Sequence, residues 1–191
     1  MTPRILAFAG SARAASLNRK LVRIAADGAR AAGAEVTLVE LADFPLPLYD
    51  GDLEAAEGLP ANARKLKELF LAHQGLLIAA PEYNSSITPL LKNTIDWVSR
   101  SSTGEAPLAC FDGKVAALMS ASPGSLGGLR GLTVVRLCLS GIRVLVLPDQ
   151  VAVPGAADAF AEDGRLKDEK RHAAVARLGA TLAQAVAKLR A

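Results

Sequence analysis

The chain has 191 residues, of which 51% are apolar and 4% aromatic, and its formal net charge is +3. This length predicts a single domain, residues 1–191, with a core large enough to fold alone. Basic residues are spread along the chain without interleaved aromatic residues, and no apolar run approaches the ~20 residues that span a bilayer, so neither nucleic-acid binding nor a membrane span is indicated.

Apolar runs predict five strands, and apolar residues at helical spacing predict five helices between and after them. The strands are predicted at 4–9, 36–41, 75–80, 114–120 and 143–147. The helices are predicted at 17–33, 62–74, 89–100, 129–140 and 167–190. The intervening residues 42–58, which include two prolines, and 148–164 are expected to be irregular.

Alternating strands and helices are typical of a parallel sheet with helices on both faces, joined by right-handed crossovers. The second strand alternates partly in polarity, as an edge strand would, whereas the first, third and fourth are apolar throughout. We therefore predict an α/β three-layer sandwich with the strand order 2-1-3-4-5. In that order the winding reverses between the first and third strands, which leaves a crevice at their carboxyl ends.

The loop after the first strand, residues 10–18, suits an anion. It leads into the first turn of a helix, where free backbone N–H groups and the helix dipole favour negative charge. Ser11, Ser16 and Asn18 can add side-chain donors, and Arg13 can add positive charge. The loop has no P-loop ending, no G-x-G-x-x-G pattern and no cysteine, which argues against a triphosphatase, a dinucleotide site and a thiol phosphatase. A phosphate monoester is the expected ligand, although a capped helix after a small-residue turn gives a similar pattern.

The loop after the third strand, residues 81–88, is rich in hydrogen-bonding groups. Tyr83 offers a flat surface, and Glu82 and Asn84 offer polar groups to the edge of a ring. Thr88, which precedes a proline, is predicted to be the N-cap of the next helix. The loop could instead be a decorated turn, but its position at the carboxyl end of a strand favours a ligand site.

The loop after the fourth strand, residues 120–128, is rich in glycine and serine and lets a ligand approach the backbone closely. The predicted strand order brings this loop to the same edge of the sheet as the two loops described above. A phosphate site, a flat surface and polar groups for the edge of a heterocycle together predict a mononucleotide-like cofactor.

The rest of the chain offers no acid, base or nucleophile for catalysis. His73 and His172 lie on predicted helices and are expected at the surface, and no Ser-His-Asp set or metal-ligand cluster is present. Glu82 and Asp96 could form a carboxylate pair, but Asp96 lies two turns into a helix, so we expect it to make a structural bond. With neither catalytic side chains nor a metal site predicted, the chemistry is left to the cofactor.

Two sets of residues resemble the NADPH-dependent FMN reductase family of flavodoxin-like proteins, which includes bacterial quinone and chromate reductases. Gly10-Ser-x-Arg-x-x-Ser-x-Asn18 is similar to the phosphate loop of that family. Pro81-Glu-Tyr-Asn-x-Ser86, followed by Leu91-Lys-Asn-x-x-Asp-Trp97, is similar to its flavin-ring loop and the next helix. Residues 47–50 and 120–128 also fit, and the match extends in order from the first strand to the fifth.

The resemblance implies a flavodoxin-like fold with tightly but non-covalently bound FMN. The residues that would hold its phosphate are Ser11, Arg13, Ser16, Leu17 and Asn18. Those that would border the isoalloxazine ring are Pro81, Glu82, Tyr83 and Asn84, with Ser120, Ala121 and Ser122 near its other edge. The alanine-rich helices and Pro123, which could alter the rim of the site, depart from the family pattern.

The resemblance also implies an NAD(P)H-dependent enzyme that reduces quinones or other electron-poor acceptors, such as chromate, azo or nitro compounds or free flavin. Both substrates would use one open face of the flavin in turn, which is a ping-pong mechanism. A preference for NADPH over NADH follows from the family alone. The family also implies a homodimer or homotetramer in which the neighbour's Tyr49-Asp50 loop approaches the flavin.

Two other functions remain open at this point. A flavodoxin-type electron carrier would share the fold, but such carriers are generally acidic whereas this chain is basic. A flavin-free regulatory protein would keep the fold without the cofactor. Cys110 and Cys138 lack metal-type spacing, and the apolar stretch at 5–9 is too short for a signal peptide, so a soluble, reduced, cytoplasmic protein is expected.

Overall fold

The structure is a computed structural model that describes residues 2–102 and 104–189. The described strands are, in chain order, β1 (Arg4–Ala9), β2 (Glu35–Glu40), β3 (Gly75–Ala79), β4 (Glu82–Tyr83), β5 (Ser86–Ile87), β6 (Val115–Ala121) and β7 (Leu145–Val153). Strands β4 and β5 form a small separate pair, and the other five form one parallel sheet in the order β2-β1-β3-β6-β7, which confirms the predicted strand order and fold class. The apolar strands β1, β3 and β6 are central and buried, while β2 and β7 form the two edges.

Six helices in the described chain accompany the sheet and most of them cover its two faces. They are α1 (Leu17–Ala31), α2 (Gly51–Glu57), α3 (Ala61–Ala72), α4 (Pro89–Val98), α5 (Leu129–Gly141) and α6 (Glu169–Leu189). Side chains alternate across each strand, so Ile5 of β1 packs in the core beneath α1 and α6, whereas Leu6 packs on the opposite face with α3, α4 and α5. Helix α1, which follows β1, lies on one face of the sheet, and α4, which follows β3, lies on the other. The crevice therefore falls between the carboxyl ends of β1 and β3, where it was predicted.

The long loop at 42–58 was expected to be irregular, and this expectation was wrong for its second half. Residues 51–57 form α2, which the sequence analysis did not predict. The carboxylate of Asp50 caps it, since Oδ1 accepts a hydrogen bond from the backbone N of Asp52 at 2.8 Å. A capping aspartate before an acidic first turn was the available signal.

The fifth strand of the sheet is also longer than predicted. It was expected at 143–147 with an irregular segment after it, but it continues through Pro148 to Val153. The proline is tolerated because β7 lies at the sheet edge and its pairing with β6 is irregular between Ala116 and Leu118.

The prediction that both histidines lie at the surface was wrong for His73. This residue follows α3 and is buried, with Nδ1 2.6 Å from the carbonyl oxygen of Leu69 and Nε2 2.7 Å from Oγ1 of Thr37. The imidazole therefore joins the end of α3 to the edge strand β2. His172 is partly buried, and its Nδ1 accepts a hydrogen bond from the backbone N of Leu166 at 3.4 Å.

Helix α1, which begins at the end of the first loop, packs very closely against α6. A Cβ atom on Gly179 would lie 1.8 Å from the carbonyl oxygen of Ala25, and one on Gly28 would lie 2.0 Å from that of Ala176. Glycine at both positions lets the two backbones approach. Among the described helices, none is long and apolar enough to cross a membrane.

Candidate functional site

The three loops that the sequence analysis singled out meet at one rim of the sheet, at the carboxyl ends of β1, β3 and β6. They enclose a cavity of about 80 Å³, called here the rim cavity. Its lining residues are Ser11, Arg13, Ser16, Leu17, Asn18, Pro81, Glu82, Tyr83, Ala121, Ser122 and Pro123. Ten of the twelve predicted site residues are therefore brought together, and Asn84 and Ser120 are not among the lining.

A second cavity of about 290 Å³, the side cavity, adjoins the first and shares Ser11, Arg13 and Tyr83 with it. Its other lining residues are Gly10, Ala12, Thr88, Pro89 and Leu90. The enclosed part of the rim cavity is too narrow for a nucleotide, so a ligand of that size would lie along the open crevice that connects the two cavities.

Ser11 and Ser16 leave their hydroxyl protons available to a ligand. The Oγ of Ser11 accepts from the backbone N of Arg13, and the Oγ of Ser16, which is the N-cap of α1, accepts from that of Arg19, both at 3.3 Å. Each hydroxyl therefore uses an acceptor site internally and can still donate. The first N–H groups of α1 also lack intrahelical partners. This set of donors fits an anion that only accepts hydrogen bonds, such as a phosphate.

Arg13 adds a positive charge at the mouth of both cavities. Its side chain is exposed, and within the described chain its guanidinium forms neither an ion pair nor a hydrogen bond. Nearby Arg19, in contrast, is paired with Glu40 at 2.6 Å. Arg13 is therefore the cation of this loop that remains available to an anionic ligand.

Asn18 has a structural task in addition to the one predicted for it. Its side chain is buried, with Nδ2 donating to the carbonyl oxygen of Ala121 at 2.8 Å and Oδ1 accepting from the backbone N of Ala121 at 2.9 Å. The amide thus connects the start of α1 to the end of β6. One N–H of Nδ2 remains for a ligand.

Thr88 holds the first loop from the other side. Its Oγ1 donates to the carbonyl oxygen of Gly10 at 2.7 Å and accepts from the backbone N of Leu91 at 3.2 Å, which confirms the predicted N-cap of α4. A Cβ on Gly10 would lie 2.9 Å from the Cβ of Leu91, so the glycine permits this close approach. Gly10 and Thr88 both line the side cavity, although neither was among the predicted site residues.

A short β-hairpin was missed entirely by the sequence analysis. Strands β4 (Glu82–Tyr83) and β5 (Ser86–Ile87) form a separate antiparallel pair. Their two-residue turn has φ values of 50° at Asn84 and 65° at Ser85, the combination that a type I′ turn requires. Asn84 thus lies at the exposed tip of the hairpin, and Tyr83, 49% exposed, borders both cavities.

The carboxylate of Glu82 was predicted to offer a polar group to the edge of a ring, but in the structure it bonds to α5. Its Oε1 accepts from Arg130, with Nη2 at 2.9 Å, and its Oε2 accepts from the backbone N of Gly131 at 2.8 Å. Burial acts to raise the pKa of Glu82, but the hydrogen bond from Gly131 and the bonds and charge of Arg130 outweigh it and lower the pKa. Glu82 is therefore an ionised partner of α5, and it is also one of the residues that line the rim cavity.

Ser120 was also predicted near the ring, yet its hydroxyl is buried and makes no hydrogen bond within the described residues. A Cβ on Gly128 would lie 2.0 Å from this Oγ, which shows how tightly the serine packs beneath the start of α5. Gly128 itself has φ +89° and is the N-cap of α5. Ser120 therefore packs beneath the start of α5 and is not among the residues that line the rim cavity.

Replacing Ser120 with alanine is expected to leave the melting temperature unchanged or to raise it. A buried hydroxyl without a partner costs about 1–3 kcal/mol of desolvation, and alanine removes that hydroxyl. Ser122→Ala is a matched control, because the Oγ of Ser122 accepts from the backbone N of Gly124 at 3.3 Å. A melting temperature that falls further in Ser120→Ala than in Ser122→Ala, measured by calorimetry, would contradict this reading of the buried hydroxyl.

The helix motif that follows the hairpin supports a different loop. On α4, Asn93 accepts from the backbone N of Tyr49 at 2.8 Å, and both Asn93 and Trp97 donate to the carbonyl oxygen of Pro47 at 2.8 Å. The ring of Tyr49 also packs edge-on against Trp97, with centroids 5.0 Å apart. These residues thus fix the 47–50 loop, and neither Asn93 nor Trp97 lines the rim cavity.

Asp96 and Glu82 do not form a pair. Asp96 accepts from Nζ of Lys92 at 2.7 and 2.8 Å, a bond one turn along α4, as the sequence analysis expected. Within the described chain, no group of three or more His, Cys, Asp or Glu side chains could hold a metal ion. The groups at the rim are hydrogen-bond donors and acceptors that are suited to binding and orienting a ligand.

Comparison with known proteins gives a consistent result. The sequence profile of a family described as NADPH-dependent FMN reductase matches residues 3–158. An NAD(P)H-dependent FMN reductase of Pseudomonas aeruginosa is 35% identical over 168 residues, which cover 87% of this chain and 86% of that protein. A quinone reductase of Pseudomonas putida is 35% identical over 164 residues, which cover 85% of this chain and 83% of that protein.

A solved structure points to the same group of proteins. The flavoenzyme NAD(P)H:(acceptor) oxidoreductase FerB of Paracoccus denitrificans superimposes with a TM-score of 0.81 and 26% sequence identity, covering 98% of each chain. An NADPH azoreductase of Bacillus sp. is 32% identical in sequence over 137 residues, which cover 72% of this chain and 70% of that protein.

Proposed function

This chain belongs to the NADPH-dependent FMN reductase family, and on that basis we propose that the crevice formed by its rim and side cavities is the FMN site. The protein is an FMN-dependent oxidoreductase that takes electrons from NAD(P)H and passes them to quinones and azo compounds. Bound FMN supplies the electron-transfer chemistry. The protein residues bind the cofactor, orient it and leave one of its faces accessible.

The donor set of the first loop is the observation that carries the phosphate placement. Two serine hydroxyls with free protons, the first N–H groups of α1 and the unpaired Arg13 converge on the rim cavity. A phosphate monoester would accept all of these bonds, and the dipole of α1 would add to the attraction. Leu17 and Asn18 would complete this end of the site, with Asn18 chiefly holding the loop in position.

The ring would lie along the hairpin and the loop that follows β6. Pro81 and Glu82 border the rim cavity, and the exposed ring of Tyr83 offers a flat contact beside it. Ala121 and Ser122 line the same cavity. Placing the phosphate at the first loop and the ring at the hairpin uses both cavities, which share Ser11, Arg13 and Tyr83.

The absorption spectrum of the purified protein tests this proposal directly. We expect bands typical of oxidised flavin, and release of FMN rather than FAD on denaturation, because the first loop is suited to a terminal phosphate. Protein that stays colourless after incubation with FMN would favour the flavin-free regulatory alternative. Bound FMN without steady-state NAD(P)H oxidation in the absence of a partner reductase would favour the electron-carrier alternative.

Steady-state kinetics with NAD(P)H and a quinone are expected to follow a ping-pong pattern. One crevice at one rim leaves little room for both substrates at once, so NAD(P)H must leave before the acceptor binds. Parallel double-reciprocal lines, measured with a series of fixed quinone concentrations, are the expected outcome. Intersecting lines would indicate a ternary complex and would contradict a shared flavin face.

The acceptor range and the choice between NADPH and NADH are further parts of the proposal. Chromate, nitro compounds and free flavin are electron-poor acceptors that an open flavin face could also reduce. No side chain described at the rim is dedicated to a 2′-phosphate, so the preference for NADPH rests on the family. Comparing kcat/KM for NADPH and NADH, and for each class of acceptor, would determine both.

A homodimer or homotetramer is proposed through the loop at residues 47–50. This loop is held rigidly by Asn93 and Trp97, yet it presents Leu48 to solvent with 80% of its surface exposed. We take this leucine as the point of contact with a second copy, in keeping with the assembly that the family resemblance implies. Light scattering on Leu48→Ser, compared with the native chain, should show a smaller assembly, and an unchanged mass would count against this contact.

A cytoplasmic location is proposed on chemical grounds. Cys110 is buried and Cys138 is partly buried, and both are free thiols. Free cysteines are typical of a reducing compartment. Fractionation of the producing cells, followed by detection of the protein in each fraction, would test the location.

A further inference from the structure

The hairpin β4–β5 is too small to hold its own shape. Each of its strands has two residues, and the pair is not part of the main sheet. Isolated two-stranded hairpins are at best marginally stable in water, even when they are longer than this one. Its position beside the rim cavity must therefore be fixed by contacts with the rest of the protein.

Thr88 and Ile87 fix the base of the hairpin, where it joins α4. Ile87 is buried in the core, and Thr88 bonds to Gly10 as described above. The other strand of the hairpin is held by Glu82, the residue paired with Ile87, against the first turn of α5. Tyr83 and Asn84 follow Glu82 directly in the chain, so the contacts of Glu82 bear on where these two residues lie.

Helix α5 begins without a capping side chain of its own. Its N-cap is Gly128, which can provide none, and Glu82 supplies the missing acceptor from outside the helix. The Oε2 of Glu82 accepts from the backbone N of Gly131 at 2.8 Å, at the third position of the helix. This is the bond that an N-cap aspartate or serine would ordinarily make.

Arg130 holds the other oxygen of the same carboxylate. Its Nε and Nη2 lie 3.2 and 2.9 Å from Oε1 of Glu82. The Arg130 side chain is 59% exposed, whereas that of Glu82 is 9% exposed. The carboxylate is thus buried at a helix N-terminus with every oxygen engaged, which fixes its position more firmly than an exposed ion pair would.

Gly131 adds a steric limit to the same contact. A Cβ at this position would lie 3.2 Å from the Cβ of Glu82 and 3.3 Å from the carbonyl oxygen of Ser86. Both strands of the hairpin therefore rest on the bare backbone of α5. Neither Arg130 nor Gly131 lines the rim or side cavity, so the contacts that connect them to a ligand there are those of the hairpin.

We propose that Arg130 is a positioning residue which, together with Gly131, holds Glu82 and so places the β4–β5 hairpin beneath the ring of the cofactor. The ring placement rests on the proposed function, whereas the anchoring of the hairpin rests on the contacts of the protein alone. The two statements can therefore be tested separately.

The first experiment needs no cofactor. Hydrogen–deuterium exchange of the apoprotein is measured for peptides covering residues 82–88 in the native chain, in Arg130→Met and in Arg136→Met. Methionine keeps the aliphatic packing of arginine and removes the charge. Arg136 is the matched control, since it also lies on α5 but donates to Gln150 of β7 at 3.1 Å instead of to the hairpin.

Exchange in the hairpin is expected to rise about three- to tenfold in Arg130→Met, the range for loss of a partly exposed charged contact, and to stay within twofold of the native rate in Arg136→Met. Arg130→Lys keeps the charge without the forked geometry and should restore part of the protection. Equal exchange in all variants, or equal increases in Arg130→Met and Arg136→Met, would overturn the proposal.

The second experiment examines the ring itself. Visible circular dichroism and the reduction potential of bound FMN should shift in Arg130→Met and in Gly131→Ala, but not in Arg136→Met. Gly131→Ala is informative because alanine favours the helix, so α5 should not be weakened, while the added Cβ displaces the hairpin. Variants with increased hairpin exchange but native flavin spectra would refute the positioning role and leave only a stabilising contact.

The exchange experiment and the flavin experiment distinguish failure of the proposed function from failure of the anchoring role of Arg130. If the native chain binds no FMN, the proposed function fails, and the exchange experiment still decides whether Arg130 anchors the hairpin. If Arg130→Met does not fold, Gly131→Ala provides the comparison, because its added Cβ presses on both strands of the same hairpin. Native exchange and a native flavin spectrum in Gly131→Ala would then overturn the proposal.

Discussion

Replacing Arg13 with alanine is expected to lower the affinity for FMN by roughly ten- to a hundredfold, the effect of one charge-assisted hydrogen bond. The guanidinium of Arg13 has no other partner in the described chain, so the substitution removes attraction to the phosphate without breaking an internal ion pair. Turnover at saturating FMN should change less than the affinity, because the phosphate end does not touch the ring. Fluorescence titration of apoprotein with FMN and steady-state kinetics measure the two quantities.

The matched substitution at the ring end is Asn84→Gly. Asn84 has φ 50°, so alanine would strain the turn, whereas glycine keeps this backbone conformation and removes only the amide. Turnover should fall more than FMN affinity does. Arg23→Ala is the control for loss of a cation, since Arg23 lies on α1, its side chain is 60% exposed and it makes only a long contact of 3.4 Å with Glu40.

If the first loop holds the phosphate and the hairpin holds the ring, Arg13→Ala should lose more FMN affinity than turnover. Asn84→Gly should lose more turnover than FMN affinity. If Arg13→Ala binds FMN as tightly as the native chain, the phosphate does not lie at the first loop. If Arg13→Ala and Asn84→Gly show the same ratio, the two loops do not separate phosphate from ring. A large effect of Arg23→Ala would indicate that general charge, and not the position of Arg13, governs binding.

Replacing Gly179 with alanine is expected to destabilise the protein by about 3 kcal/mol, at the upper end of the usual cost of overpacking. The new Cβ would lie 1.8 Å from the carbonyl oxygen of Ala25, so α1 and α6 must move apart. A protein of this size should then lose roughly 6–12 °C in melting temperature. Calorimetry of the apoprotein measures this change.

Gly141→Ala provides the control, because a Cβ at the end of α5 would meet no atom within 4 Å. It should be neutral, or stabilising by up to about 1 kcal/mol through helix propensity. If the Gly179→Ala and Gly141→Ala proteins have the same melting temperature, α1 and α6 can move apart without loss of stability. Because α1 also carries the phosphate loop, weaker FMN binding in Gly179→Ala is expected to accompany the lower melting temperature.

The strand order and the meeting of three loops at one rim could be predicted from the sequence, because long apolar runs identify central strands. The hairpin could not, since strands of two residues show no periodicity and Asn84-Ser85 is not the usual Asn-Gly turn signal. The short helix at Gly51–Glu57 and the continuation of β7 through Pro148 were hidden by prolines that normally mark loops.

The roles of individual polar residues were harder to predict than their location. Asn18 bonds to a residue 103 positions later, and Glu82 to one 49 positions later. Sequence alone identified both as polar groups at the rim but could not show that internal partners occupy most of their hydrogen-bonding capacity. Similarly, His73 is buried because Leu69 and Thr37 offer it partners that only the fold brings together.

Hydrogen bonds hold both ends of the phosphate loop, and they affect the rates at which the cofactor binds and leaves. Asn18 connects one end of the loop to β6 and Thr88 connects the other to α4, so the loop is already ordered when FMN arrives. Little ordering accompanies association, and the association rate should therefore vary little among variants of this loop. Differences in affinity would then reside in the dissociation rate. In dilute solution, the fraction of protein that carries FMN would be set by how long the cofactor stays rather than by how fast it is captured.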